Sequence, residues 1–278
     1  MTGQYYPTVL GRVLRAMLWL LSLAVLFFLV SPLLAIIPLS LTSSSFLQYP
    51  IPSYSFRWYE DFLFNPEWTL AFRNTFIVGT STAVLATTLG TLAALGLSRD
   101  GFPFKRLVTS FFILPIVMPT IVLAVATYFA FAPIGLTNSL VGIILAHTTL
   151  AVPFVVVTVG ATLSGFDQNL VRAATSLGAT PIRAFFKVTL PLVFPGVVSG
   201  AVIAFATSLD EVVMILFLAG PDQNTVPRQM FNGIKYFLSP TITAVATTLI
   251  VLSVLLLAAV GALRARVSRH YATVGESS

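Results

Sequence analysis

Two adjacent carboxylates, Asp210 and Glu211, stand inside the otherwise apolar run ATSLDEVVMILF. At hydrocarbon depth each one costs roughly 2.5–3.5 kcal/mol to insert, so such a group usually faces a polar cavity or a partner. Counted from Pro195 at the rise of an α-helix, Asp210 lies about 22 Å across, in the outer half of the span, which suits a cavity open on that side. Neighbouring helical residues point about 100° apart, so the two acids cannot both aim at one small site. The expectation is that one lines a pathway while the other contacts a neighbouring helix. A pathway acid would favour a cationic solute by Coulomb attraction. The alternative is a structural one, with Arg73 as the flanking base within reach or with the acids protonated and bonded between helices.

His147 is the other ionisable group at membrane depth, and its bland reading is a neutral imidazole donating to a helix carbonyl. His270 belongs to the basic tail. The sequence contains no phosphate-binding loop, no H-E-x-x-H zinc pair and no G-x-S-x-G nucleophile elbow. With no cysteine, disulfides and thiolate metal sites are also excluded.

These residues need elements to hold them, and the composition says which. The chain has 278 residues, of which 57% are hydrophobic and only 9% charged, and its mean hydropathy is +0.95. Soluble domains carry about 25% charge, so this is an all-α polytopic membrane protein. Six stretches satisfy the ~20 residues a spanning helix needs: about 17–39, 70–97, 107–132, 139–163, 195–218 and 241–263. The first exceeds a signal peptide's apolar region and shows no obvious cleavage site, so it is expected to stay as a helix. One membrane domain, 1–278, is expected, without a soluble domain.

Orientation follows from Lys and Arg, which short cytoplasmic loops retain. With the N-terminus inside, Arg12, Arg15, Arg99, Lys105, Arg106, Arg172, Arg183, Lys187, Arg264, Arg266 and Arg269 share one side, against Arg57, Arg73, Arg228 and Lys235. Both termini are therefore expected in the cytoplasm. The net charge of +6 is then a topology signal, and its scatter over several loops gives no nucleic-acid platform.

The outward loop 41–69 carries Tyr49, Tyr54, Trp58, Tyr59 and Trp68, which suit an interfacial belt or a docking surface for an external partner. The loop 220–240 could serve the same surface. Gly79, Gly90, Gly96, Pro115, Pro119, Pro153 and the Gly196-x-x-x-Gly200 pair suit closely packed helices that flex.

Between the fourth and fifth spans, at about 165–194, lies LVRAATSLGATPIRAFFKVTLPLVFPG. Asp167 is a candidate N-cap for a short helix with Leu170, Ala173, Ala174 and Leu177 on one face, and Gly178 stops it. Thr180 and Pro181 restart a helix as cap and first residue, with Ile182, Phe185, Phe186 and Leu190 as its apolar stripe and Pro191 and Pro195 closing the segment. On local evidence this is a helix–turn–helix at the membrane surface.

Its spacing resembles the E-A-A, three residues, G, nine residues, I-x-L-P loop of permease subunits in binding-protein-dependent ABC importers. Arg172-Ala173-Ala174, Gly178 and Val188-Thr189-Leu190-Pro191 match it, with Arg172 where the family has Glu. The likeness extends over about 65–263. SLDEVVMILFLAGP and SPTITAVATTLIVLS are similar to the spermidine/putrescine-type permeases, whose serine–hydrophobe–two acids run falls on Asp210 and Glu211.

The resemblance implies a type I ABC importer permease fold in a bacterial cytoplasmic (inner) membrane. It implies two ATP-binding subunits, a second permease and an extracytoplasmic solute-binding protein as partners. Arg172, Ala173, Ala174, Gly178, Ala179 and Pro191 would belong to the ATPase-coupling loop, and Asp210 with Glu211 to the pathway of a small cation such as a polyamine. No cofactor is then expected on this chain, since ATP and Mg would sit on the partner ATPase. The rival reading is a self-contained proton-coupled secondary transporter with an acid of the pair as its proton site.

Overall fold

The computed structural model describes residues 9–99, 101–236 and 238–275; of residues 259–260 and 262–275 only the backbone is described. The tail cations Arg264, Arg266 and Arg269, and His270, therefore have no described side chains. Among the described residues no strand is present beyond an isolated antiparallel bridge between Thr42 and Tyr54. The helices are α1 (Val9–Leu39), α2 (Arg57–Phe64), α3 (Pro66–Leu97), α4 (Lys105–Val117), α5 (Thr120–Phe131) and α6 (Leu140–Ser164), followed by α7 (Asn169–Ser176), α8 (Pro181–Ala184), α9 (Leu190–Asp210), α10 (Val213–Leu218), α11 (Val226–Tyr236) and α12 (Thr241–Gly275).

Five helices are long and apolar enough to cross a membrane, and a sixth span exists if the bent pair α4–α5 is counted as one. The expected continuous helix over 107–132 is thus corrected to two helices meeting at a 105° bend. Pro119 explains the break, because the ring of a proline disfavours the helical region for the residue before it. Met118 accordingly takes an extended backbone at ψ 139, and α5 starts afresh from Pro119.

The continuous helix expected over 195–218 is corrected as well, at both ends. It starts early, because α8 runs through a π-turn at Phe185–Thr189 directly into α9, giving one 30-residue helix from Pro181 to Asp210. Pro191 and Pro195 therefore lie inside it and close nothing. Pro191 has no N–H for the Lys187 carbonyl, and the wider turn just before it, with the Leu190 N–H bonded to the Phe185 carbonyl, accommodates that gap. At its far end the helix stops at Asp210, and α10 follows after two residues.

The chain forms two compact units, Met1–Phe62 with Phe237–Val251 and Leu63–Tyr236 with Leu252–Ser278. In the first, Ser40 Oγ and Tyr59 OH are 2.8 Å apart, and the Thr241 hydroxyl donates to Asp61 at 2.7 Å. Trp58 is buried there beneath the Arg57 guanidinium, whereas Tyr49 and Tyr54 are exposed.

In the second unit α3, α6 and α9 pack around Val155 and Val159, both fully buried among Ala86, Ala94 and Ala204. Small residues permit the close approach that transmembrane packing depends on. A Cβ built on Gly90 would lie 2.6 Å from Val155 Cβ, and one built on Gly200 would lie 3.2 Å from Val155 Cγ1. A second cluster joins α10 to α5 and α6 through Met214, Ile215, Leu218, Ala124, Ile143 and Ala146. Trp68, also in this unit, is buried, so Trp58 and Trp68 both depart from the expected interfacial belt.

Candidate functional site

The break after α9 is built by one side chain. In an uninterrupted helix the Met214 N–H would donate to the Asp210 carbonyl four residues back. Instead it donates to Glu211 Oε1 at 2.9 Å, and Glu211 itself takes an extended backbone, φ −77 and ψ 115. Glu211 thus caps the start of α10, with its carboxyl oxygen at the end of a helix whose N–H groups favour an acceptor.

Asp210 is left differently. Its side chain is exposed and its carbonyl, deprived of Met214, lies at the carbonyl-rich C-terminus of α9. Helix dipoles are negative at that end, so the break gathers two carboxylates and free carbonyl density, with no base paired to either acid among the described residues. Arg73 is exposed and forms no ion pair with either acid among the described residues, so the alternative pairing with Arg73 is not made there. Because Glu211 is not helical, the two side chains do not follow the 100° spacing the sequence suggested. Their division of labour, one acid engaged and one open, emerges from the break itself.

Residues around the break fix it in place. Ser208, one turn before Glu211, is buried and shares a 2.8 Å hydrogen bond with His147 Nδ1 of α6. The imidazole therefore meets a serine hydroxyl rather than the expected helix carbonyl, and its Nε2 is buried with no partner. Beyond α10, Arg228 Nη1 donates to the carbonyls of Ala219 and Gly220 at 3.1 and 2.7 Å. From α3, Asn74 Nδ2 donates to the carbonyls of Asp222 and Asn224 at 2.9 and 2.8 Å, and Thr75 Oγ1 accepts from the Val226 N–H at 2.8 Å. Asn74, Thr75 and Ser208 were not among the residues expected to matter from the sequence. Their signal was available in outline, since a buried amide or hydroxyl on an apolar helix has to find a partner.

The second site is the segment from Asp167 to Pro191. The Asp167 carboxylate accepts from the Asn169 N–H at 2.9 Å, so the predicted cap acts, one position ahead of the assigned helix boundary. At the other end of α7, Gly178 has φ +85. The Gly178 N–H bonds to the Thr175 carbonyl and the Ala179 N–H to the Ala174 carbonyl, both at 3.0 Å, which is a Schellman termination. Thr180 then caps the next helix through Arg183 N at 3.3 Å, with Pro181 in its first turn.

Alanines let α7 fold back on α8 and the π-turn, with Ala184 buried and Ala174 and Ala179 half-buried. The larger apolar residues point away. Leu177 is 89% exposed, Ile182 72% and Phe186 59%, while Phe185 and Leu190 are half-buried, so the expected apolar stripes are only partly buried on this chain. A depression of about 270 Å³, bordered by Leu177, Gly178, Arg183 and Lys187, runs between them. Arg172 is exposed, and among the described residues its guanidinium meets only Asn169 Oδ1 at 3.4 Å. Pro191 stands just past the π-turn, where the segment becomes the spanning helix.

Helices arranged in this way occur in solved ABC transporters. A chain of a bacterial ABC transporter involved in the import of the acidic polysaccharide alginate superposes with a TM-score of 0.73 at 14% identity, covering 92% of this chain and 98% of that one. A chain of the MetNI methionine ABC transporter gives 0.61 at 22% identity, covering 73% and 98%. The fold is that of type I ABC importer permeases. Residues 86–271 match the family described as binding-protein-dependent transport system inner membrane component, and the chain belongs to that family.

Among its relatives, the spermidine/putrescine transport system permease protein PotC of Haemophilus influenzae is 35% identical over 73% of this chain and 79% of its own length. PotC of Escherichia coli is 32% identical over 90% and 93%. The putrescine transport system permease protein PotI of Escherichia coli is 31% identical over 80% and 82%. The chain is thus a multi-pass ABC importer permease subunit similar to polyamine permeases.

Proposed function

We propose that this subunit forms half of the translocation pathway of an ATP-driven importer for a small cationic solute of the polyamine type, in a bacterial inner membrane. Both termini face the cytoplasm, following the distribution of Lys and Arg. A second permease completes the pathway, an extracytoplasmic binding protein delivers the solute, and two ATPase subunits carry ATP and Mg.

The observation that carries the solute assignment is the interrupted fifth span. An interrupted membrane helix exposes backbone carbonyls that suit cations, and its C-terminal end adds the negative pole of a helix. Asp210 is the open carboxylate at that end. Glu211 holds the break, and its charge adds to the field. The names of the relatives, spermidine/putrescine and putrescine permeases, agree with this electrostatic preference.

Coupling is assigned to Arg172, Ala173, Ala174, Gly178, Ala179 and Pro191. The exposed side chains of Leu177, Ile182 and Phe186 offer apolar contact to an ATPase groove, and Arg172 selects an acidic partner surface. Because α8 and α9 are one helix, a push on the turn at Gly178 reaches Asp210 along a continuous rod.

The test is ATP-dependent uptake by the complex purified with its partners and reconstituted in vesicles. Labelled spermidine and putrescine should accumulate, sulfate and neutral sugars should not, and removal of the ATPase subunits should abolish uptake. Uptake that persists without the ATPase and follows a pH gradient would instead establish a secondary transporter.

A further inference from the structure

A cleft of about 300 Å³ opens where α3, α4 and α6 meet, lined by none of the residues assigned to the two sites above, and its lining includes Ser98, Lys105, Thr109, Ile113, Val157 and Gly160. Its two ends differ. Ser98 and Ser164 close the last turns of α3 and α6, and Lys105 opens α4, so the polar groups gather where the spans end. From Lys105 to Ile113 the helix rises about 12 Å, and from Ser164 back to Val156 it also covers about 12 Å, so the apolar end lies deeper along the same axes.

Among the described residues no carboxylate pairs with Lys105, and Arg99 and Arg106, near it in sequence, are both exposed. Thr109 is half-buried, and its hydroxyl forms no hydrogen bond among the described residues, so it is available as a donor. The hydroxyls of Ser98 and Ser164 already donate to the carbonyls of Leu95 and Ala161. Deeper in, Gly160 leaves the floor open, since a Cβ placed on it would meet nothing within 4 Å. Val157, at 50% exposure, forms one apolar wall.

We propose that this cleft binds an anionic phospholipid, its phosphate at Lys105 and Thr109 and the upper part of one acyl chain lying along Ile113, Val157 and Gly160. Charge selects the occupant. Basic pockets between transmembrane helices recruit anionic headgroups, and each cation near the membrane surface contributes about a fivefold preference. By contrast, the larger groove of about 510 Å³ beside Val84 and Val141 is lined by no charged residue and offers no such discrimination. A lipid here would brace α4 against α3 and α6.

The test measures lipid retention by the assembled complex, using native mass spectrometry and thermal unfolding in nanodiscs of phosphatidylcholine with and without phosphatidylglycerol. Phosphatidylglycerol should be retained over phosphatidylcholine and should raise the unfolding temperature of this subunit. Lys105→Gln should lower the preference about fivefold, while Lys235→Gln, remote in sequence on α11, should not. Gly160→Leu should fill the floor and displace the lipid with the charged mouth intact. Inorganic phosphate and glycerol phosphate should not compete, because they lack the chain. Equal retention of the two lipids, unchanged preference in both cleft variants, or full competition by inorganic phosphate would each overturn the assignment.

Discussion

Gly178 owes its place to backbone geometry, since at φ +85 a side chain would strain the left-handed turn that terminates α7. Gly178→Ala should cost about 1–2 kcal/mol locally and loosen the turn between α7 and α8. Its expected signature is a loss of binding-protein-stimulated ATP hydrolysis with subunit assembly preserved, read by comparing ATPase rates of the purified complexes. Arg172 makes a separate prediction. If it meets an acidic groove, Arg172→Glu should reduce co-purification of the ATPase, and a charge reversal on the partner should restore it. Glu211→Gln keeps an oxygen that accepts from Met214, so it should disturb the break little. Glu211→Ala removes that acceptor and should lower thermal stability by about 1–2 kcal/mol, as loss of a helix cap does.

At the scale of elements, the central packing of α3, α6 and α9 tolerates no added volume at Gly90. Gly90→Val should destabilise the subunit by about 1–3 kcal/mol or more, seen as a lower unfolding temperature in detergent. Much at this scale was legible in the sequence. Spans followed from apolar length, the turn at Gly178 from its position after a helical face, and the helix restart from Thr180-Pro181. The bend at Pro119 was less legible, because a proline in a membrane helix can kink it or end it, and only the packing of α5 decides. The break after Asp210 was hidden altogether. No proline or glycine marks it, and it depends on a side-chain oxygen of Glu211 taking a backbone N–H from the preceding carbonyl. The junction of α8 and α9 was misjudged for a related reason, since Pro191, which signals a stop, is absorbed by a π-turn, and Pro195 lies inside the helix that follows.

The whole molecule makes the orientation accessible to experiment, because the chain has no cysteine of its own. Single cysteines placed at Leu177 and at Tyr236, which are 89% and 74% exposed, should react from opposite sides of the membrane with an impermeant maleimide. The proposed orientation requires Leu177 to be labelled only from the cytoplasm. The continuous helix from Pro181 to Asp210 joins the proposed ATPase contact to the proposed cation site, so coupling and selectivity should separate by mutation. The most direct measurement is ATP-driven spermidine uptake by reconstituted complexes carrying Asp210→Asn, with ATP hydrolysis recorded in the same vesicles. Loss of one unit of charge at the break should reduce uptake about tenfold or more, an effect of about 1.4 kcal/mol, while ATP hydrolysis continues. Uptake equal to that of the unaltered complex would contradict the assignment of the broken fifth span as the cation site.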